Sequence, residues 1–214
     1  MKRVVILGLT LILLFIAVDT ATAVTNGTPD GNNHPYVGLV VFGGYDNGNA
    51  VPWWRCSGSL LSDSVFLTAA HCVSDPTPEW AYIWFVPEPT GTGYPLNGYD
   101  ASSTHMYAMP GYREANPKSG GLPGFDYHDV AVVIIDDWVN PYSGPYAQLP
   151  TEGLVNTLPM KTEVLLVGYG VREKARISGP PYYRWFGRIR YYAPAQLVQS
   201  NDVISAEYLK LTAN

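Results

Sequence analysis

The side chain best suited to chemistry in this sequence is a histidine that follows two alanines and precedes a cysteine. His71 ends the segment Leu67-Thr68-Ala69-Ala70-His71, and Cys72 comes next. Small residues allow a tight turn after a strand, and a disulfide at Cys72 would hold the imidazole in one place. Because imidazole titrates near neutral pH, a rigid histidine can serve as a general base, and misplacement by about 1 Å can cost 100-fold in rate. The alternative is a structural histidine beside a disulfide.

The first 23 residues have the pattern of a secretory signal peptide. Lys2-Arg3 precedes an almost unbroken apolar run from Val4 to Val18, and Ala21-Thr22-Ala23 has the small residues of a cleavage site. The run is 15 residues long, whereas a membrane-spanning helix needs about 20. An uncleaved signal anchor is the alternative. Cleavage would make Val24 the mature N-terminus of a secreted, extracellular protein.

The two cysteines, Cys56 and Cys72, are predicted to form a disulfide because the secretory route oxidises thiols. The bond would close a loop of about 15 residues and stabilise the fold by about 3 kcal/mol in the chain-entropy model. A zinc site is the alternative, but no Cys-x-x-Cys or His-x-x-x-His pattern accompanies the pair.

Composition and turn residues predict a β-rich protein. The 214 residues include 21 Gly and 18 Pro, with 13% aromatic and 14% charged side chains, which favours short strands over amphipathic helices. The net charge of −5, with no basic cluster, indicates no nucleic-acid partner. Apolar and alternating runs predict strands at Val37–Phe42, Arg55–Leu61, Val65–Ala69, Ala81–Val86, Val130–Ile135, Val164–Gly168, Tyr183–Tyr191 and Val203–Leu211.

Turn-forming residues separate these strands. Asp46-Asn47-Gly48-Asn49 predicts a hairpin turn. The Pro/Gly-rich stretches Pro87–Asn97 and Asn116–Gly124 are predicted to be loops, because strands flank them. Four prolines interrupt the apolar runs over Asn140–Pro159. We therefore predict a first domain over residues 24–140 and a linker with a second, partial domain over residues 141–214.

Two segments resemble those around the histidine and aspartate of trypsin/chymotrypsin-like serine proteases. Arg55-Cys56-Ser57-Gly58-Ser59-Leu60-Leu61, followed by Val65–Cys72, resembles the block in which a Cys-Gly-Gly-Ser-Leu-type strand is bonded to the cysteine after the catalytic histidine. Ser57 replaces the first glycine. Asp129-Val130-Ala131-Val132 resembles the family's Asp-Ile-Ala-Leu segment. The resemblance implies that His71 is the general base and that Asp129 orients it. The other carboxylates nearby are Asp126, Asp136 and Asp137.

Shorter segments extend the resemblance. Val24-Thr25-Asn26-Gly27 is similar to the Ile-Val-Gly-Gly start of activated family members, and Val167-Gly168-Tyr169-Gly170 is similar to the Gly-Trp-Gly strand, with Tyr169 for Trp. The family implies an all-β fold of two six-stranded antiparallel Greek-key barrels, the second incomplete in this chain. It also implies a monomer that acts on protein or peptide substrates and needs no metal or organic cofactor. Calcium in the Pro87–Asn97 loop would have only Glu88 as a carboxylate ligand.

The family's nucleophile segment, Gly-Asp-Ser-Gly-Gly, does not occur in the 214 residues. Ser57 and Ser59 belong to the strand that supports the histidine, while Ser119 and Ser178 lie in predicted loops. None has a Gly-x-Ser-x-Gly elbow. We therefore expect a fragment of a secreted trypsin-like serine endopeptidase that is inactive without its serine.

Two other interpretations of the chain stay open. One is a truncated, inactive pseudoprotease that binds a protein or peptide. The other is a non-enzymatic β-rich module that shares only the fold.

Overall fold

The computed structural model describes residues 27–74, 76–91, 93–112, 128–170, 173–175, 182–184, 188–199 and 210–212. Regular structure in these ranges is almost entirely β-strand, with one 3-10 turn, Ala70–Cys72, and one helical turn, α1, Leu154–Thr157. The fourteen strands are β1 Thr28–Pro29, β2 Val37–Asp46, β3 Asn49–Leu60, β4 Val65–Thr68, β5 Trp80–Trp84, β6 Ala101–Ser103, β7 His105–Ala108, β8 Ala131–Ile134, β9 Asp137–Trp138, β10 Glu163–Gly168, β11 Glu173–Ala175, β12 Tyr182–Arg184, β13 Tyr191–Gln199 and β14 Lys210–Leu211. Their pairings are antiparallel, and the all-β prediction is confirmed.

The first sheet closes on itself as a six-stranded barrel. Its hydrogen-bonded order is β7-β8-β4-β3-β2-β5-β6-β9. Only Thr104 separates β6 from β7, and only Ile135 and Asp136 separate β8 from β9. Each of these pairs is therefore one bent strand, and each of the six resulting strands has a partner on both sides. Closure removes the two edge strands that an open sheet would have.

Strand β2 is apolar almost throughout because it packs on both faces. Val40 and Phe42 belong to the buried cluster inside the barrel. Leu39 and Val41 belong to a second buried cluster with Trp80, Trp84 and Tyr169. A strand covered on both sides is expected to be a continuous apolar run rather than an alternating one.

The hairpin that joins β2 to β3 confirms the predicted turn. Asp46 pairs with Asn49, and the two central residues have left-handed backbone angles, φ 50° at Asn47 and φ 80° at Gly48. Asparagine and glycine tolerate these angles better than other residues do.

The second sheet gathers strands from both ends of the chain. Its order is β1-β13-β10, and β14 also pairs with β13. Ala193, Ala195 and Leu197 alternate as buried residues along β13. Strands β11 and β12 form a separate two-stranded hairpin.

One strand prediction differs from the structure, and some observed strands were not predicted. The single strand predicted over Tyr183–Tyr191 is wrong, because β12 ends at Arg184 and residues 188–190 are not in a strand before β13 begins. The rest of β13 was missed because its inward positions include small alanines, and Pro194 weakens the strand signal. Strand β6 was missed because Ala101-Ser102-Ser103 carries no large apolar side chain.

Other predictions have mixed outcomes. Each of six predicted strands overlaps an observed one, and the described part of Pro87–Asn97 is a loop. The six are Val37–Phe42, Arg55–Leu61, Val65–Ala69, Ala81–Val86, Val130–Ile135 and Val164–Gly168. Asn116–Gly124, most of Val203–Leu211 and residues 1–23 lie outside the described residues. The division into two domains stays a prediction. Within the described ranges, no helix has the length and apolarity to cross a membrane.

Candidate active site

The pairing of β4 with β8 brings His71 and Asp129 together. Thr68, at the end of β4, is paired with Ala131, at the start of β8. Antiparallel strands place the residues after one strand beside those before the other. His71 Nδ1 lies 2.8 Å from Asp129 Oδ2, and the His71 backbone N–H donates to Asp129 Oδ1 at 2.8 Å.

This geometry favours one tautomer of the imidazole. With Nδ1–H donating to the carboxylate, Nε2 carries the lone pair and can accept a proton. The side chains of His71 and Asp129 are 56% and 31% exposed, so a substrate in solution can reach the pair. The arrangement suits a base that takes a proton at Nε2 while Asp129 holds the ring and stabilises its charged form.

A disulfide fixes the turn that carries His71. Cys56, on β3, is bonded to Cys72, which confirms the predicted pairing. The Trp54 indole N–H also donates to the Cys72 carbonyl at 2.8 Å. Because the two sulfurs are bonded to each other, they offer no thiolate to zinc.

A cleft of about 260 Å³ lies beside His71, and its walls come from both sheets. Leu39, Ser57 and the disulfide form one side, while Tyr169 and Gly170, which follow β10, form the other. The Tyr169 backbone N–H donates to Ser57 Oγ at 2.9 Å. Ser57 therefore ties the second sheet to the strand that supports His71.

A buried ion pair, which sequence reasoning missed, lies next to Tyr169 of this cleft. Arg190 and Asp30 are fully buried, and Arg190 Nε donates to Asp30 Oδ2 at 2.8 Å. Arg190 also donates to the carbonyls of Val37 and Phe85 and to the Tyr169 hydroxyl. Arg190 lies in the segment Tyr183–Tyr191, whose alternation predicts a half-buried strand. An arginine in such a strand indicates a solvent-facing position, so no local signal points to its burial.

Burial affects two groups of this network differently. Burial raises the pKa of Tyr169 to about 12 despite the nearby Arg190, so the phenol stays protonated and donates to the Val86 carbonyl at 2.6 Å. Burial also acts to raise the pKa of Asp30, but hydrogen bonds from His34 and Arg190 outweigh it and hold that pKa below 3.8. Tyr169 and Asp30 are therefore structural groups, not acid–base catalysts.

Another histidine–aspartate pair lies elsewhere on the barrel. His105 Nδ1 is 2.8 Å from Asp136 Oδ1, and the backbone N–H and the hydroxyl of Thr104 donate to Asp136 Oδ2. Asp136 is thus paired with a different histidine from His71. Asp137 begins β9 and is exposed.

The remaining predicted residues are placed as follows. Ser59 lies on β3, as expected. Val24, Ser119, Asp126 and Ser178 lie outside the described residues. Within the part of the chain that the structure describes, no serine hydroxyl is hydrogen-bonded to His71.

Comparisons with known proteins identify the family of the chain. The family model described as Trypsin matches residues 25–213. The cercarial protease of Schistosoma mansoni is 31% identical over 125 residues, which cover 56% of this chain and 46% of that protein. This chain therefore spans about half the length of that relative. A solved HL collagenase structure matches with a TM-score of 0.52 and 18% identity, covering 82% of this chain and 64% of that one, a likeness of fold alone.

Proposed function

We propose, from the premise that the chain belongs to the trypsin family, that it carries the histidine and aspartate of a secreted serine endopeptidase. The observation that carries the proposal is the His71–Asp129 pair, with two hydrogen bonds from one residue to one carboxylate. A disulfide-anchored turn and a cleft between two sheets surround it. Its substrates are the peptide bonds of proteins or peptides.

The proposed reaction is acyl transfer. His71 Nε2 takes the proton of a serine hydroxyl as the serine oxygen attacks the peptide carbonyl, while Asp129 stabilises the imidazolium through Nδ1–H. His71 then gives that proton to the leaving amine, and an acyl-enzyme remains. A water deprotonated by His71 hydrolyses the ester and restores the serine.

The reacting serine is proposed to lie in a segment that follows Asn214, since none of the 214 residues matches the family's nucleophile motif. On that basis the 214-residue chain alone does not hydrolyse peptides. We also propose that signal cleavage makes Val24 the mature N-terminus, that the two domains divide near residues 140–159, and that the protein acts as a monomer.

The test is to sequence the reading frame downstream of codon 214 and to express the protein it encodes. The proposal expects a Gly-Asp-Ser-Gly-Gly-like segment within some tens of codons, a secreted product that begins at Val24, and hydrolysis of casein. A stop codon directly after codon 214, with a folded secreted product that leaves casein intact, would refute hydrolysis. It would support the alternative of an inactive peptide-binding module.

A further inference from the structure

A groove of about 600 Å³ lies next to the cleft that contains His71. Arg55 lines both spaces, so the groove and the cleft share a wall. We call it the aromatic groove, and its other main walls are Pro52, Trp53, Trp54, Tyr94, Pro95 and Arg188. Tyr94 and Pro95 belong to the Pro87–Asn97 loop, none of whose residues takes part in the proposed reaction.

The aromatic walls are held in place before any ligand binds. Trp53 is 38% exposed, yet its ring packs so closely over Gly44 that a side chain there would lie 2.4 Å from it. Tyr94 packs on the buried Trp84, with ring centroids 5.1 Å apart. Because these rings are already ordered, a ligand that packs on them loses less conformational freedom on binding.

Two arginines line the groove. Arg55 and Arg188 line the groove, Arg190 is buried against Asp30, and Lys161 is exposed near the start of β10. The whole chain has a net charge of −5, and the Arg188 guanidinium favours an anionic ligand at this point of its surface.

Arg188 lies over an aromatic ring of the groove. Its guanidinium carbon lies 4.2 Å from the centroid of the Tyr94 ring. A guanidinium stacked on an aromatic face keeps N–H groups at its edge for planar, bidentate hydrogen bonds. Among the described residues, no carboxylate forms an ion pair with Arg188.

We propose that the aromatic groove binds a segment of the polypeptide substrate in which an aromatic residue adjoins an aspartate or glutamate. This inference rests on the proposed function, because it takes the peptide at His71 as continuing into the groove. The aromatic side chain packs on Trp53, and the carboxylate binds Arg188. The groove thereby selects substrates by a sequence outside the cleaved bond.

The test measures peptide binding separately from cleavage. The protein encoded by the whole reading frame carries His71→Ala, so that the probes stay intact. The probes are the heptapeptide Gly-Ala-Phe-Asp-Pro-Ala-Gly and its two counterparts with Asn for Asp or Ala for Phe. Each has blocked ends and an uncharged fluorophore, and binding is followed by fluorescence anisotropy.

In this background, Arg188→Gln should weaken binding of the aspartate peptide about tenfold and leave the asparagine peptide unchanged. Arg188→Lys should retain part of the preference. Lys161→Gln, which removes one positive charge elsewhere, should change neither Kd.

Trp53→Ala should weaken the binding of both phenylalanine peptides several-fold. Tyr107→Ala, which removes an exposed aromatic side chain outside the groove, should not weaken it. Unchanged urea midpoints would show that the variants fold.

Equal binding of the aspartate and asparagine peptides, or equal effects of Arg188→Gln and Lys161→Gln, would overturn the groove proposal. Casein hydrolysis by the protein with an intact His71 is measured in parallel. If casein is hydrolysed while the peptides bind without preference, only the groove proposal is wrong. If the aspartate peptide is preferred but casein stays intact, the groove proposal holds and the proposed function fails.

Discussion

Two histidine–aspartate pairs on the described part of the barrel share the same distance between the imidazole and the carboxylate, and their surroundings differ. Both have an imidazole Nδ1 2.8 Å from a carboxylate oxygen. His71 and His105 are 56% and 57% exposed, and Asp129 and Asp136 are 31% and 34% exposed. Distance and exposure therefore do not separate a candidate catalytic pair from a surface pair.

The elements around each pair make the difference. His71 follows β4 on a turn fixed by a disulfide, beside a cleft whose far wall comes from the second sheet. His105 and Asp136 lie on or next to neighbouring strands of one sheet, and Thr104 occupies the second oxygen of Asp136. A base needs a rigid frame and room for a substrate, and of these two pairs His71–Asp129 has both.

The largest expected difference between the pairs is in turnover. In the protein encoded by the whole reading frame, His71→Ala should lower kcat for a peptide substrate by about 10⁶-fold, because the serine loses its base. His105→Ala should leave kcat nearly unchanged, because His105 does not line the cleft beside His71. Comparable losses in the two variants would mean that the second pair takes part in catalysis.

The next largest difference is expected between the kcat effects of replacing Asp129 and Asp136. Asp129→Asn should lower kcat by about 10⁴-fold, because an amide in place of the carboxylate favours the wrong imidazole tautomer. The matched variant Asp136→Asn should keep nearly full kcat. Steady-state kinetics on both variants measures kcat, and a loss below about tenfold for Asp129→Asn would show that Asp129 does not orient the base.

The stability of the fold should depend on the buried ion pair between Asp30 and Arg190. Arg190→Met should lower the free energy of unfolding by about 3–5 kcal/mol, because Asp30 would remain buried without the arginine that pairs with it. The double variant Asp30→Leu/Arg190→Met should recover much of that loss, since it leaves no unpaired charge. Urea unfolding measures both, and a loss below about 1 kcal/mol in the single variant would contradict this role.

The disulfide under His71 should contribute somewhat less. Replacing Cys56 and Cys72 together by alanine should lower the free energy of unfolding by about 3 kcal/mol, because the unfolded chain is no longer constrained. Reductant should lower the urea midpoint of the wild type to that of the variant, and it should leave the midpoint of the variant unchanged. If the two proteins have equal urea midpoints without reductant, the bond does not stabilise the fold.

The smallest expected effect is a pH dependence at the surface pair. Partial burial acts to raise the pKa of Asp136, but hydrogen bonds from Thr104 and His105 outweigh it and hold that pKa below 3.8. Its stabilising contribution is therefore present above pH 3.8 and is lost as the pH falls through the lowered pKa. Because the pair is exposed, the contribution should stay below about 1 kcal/mol.

Thermal unfolding between pH 5 and 2 (about the range of carboxylate titration) measures this effect. The wild type should lose more stability than Asp136→Asn across that range. Parallel curves for the two proteins would contradict the lowered pKa.

The sequence predicted the His71 region well because its signals are local. The strands around Cys56 and His71 carry apolar runs, and the turn Asp46-Asn47-Gly48-Asn49 carries residues suited to left-handed angles. Asp129 could be named because a resemblance covered its whole segment. The pairing itself depends on the register of β4 with β8, which joins residues 58 apart.

The rest depends on contacts that no local pattern encodes. Arg190 and Asp30 are 160 residues apart, and each has the polarity expected of a surface side chain. Their burial follows only from β1 pairing with β13, which brings the two ends of the described chain together. The alanine-rich inner face of β13 was equally hard to predict, since small side chains give a weak hydrophobic period.

The most direct test of the central claim is covalent labelling of the protein encoded by the whole reading frame. A fluorophosphonate probe reacts with a serine that a neighbouring base activates. We predict one adduct, located by mass spectrometry on a serine beyond residue 214, which forms in the wild type and in His105→Ala but not in His71→Ala. Labelling that persists without His71, or no labelling of the folded wild type, would contradict the assignment of His71 and Asp129 as the base and its orienting carboxylate.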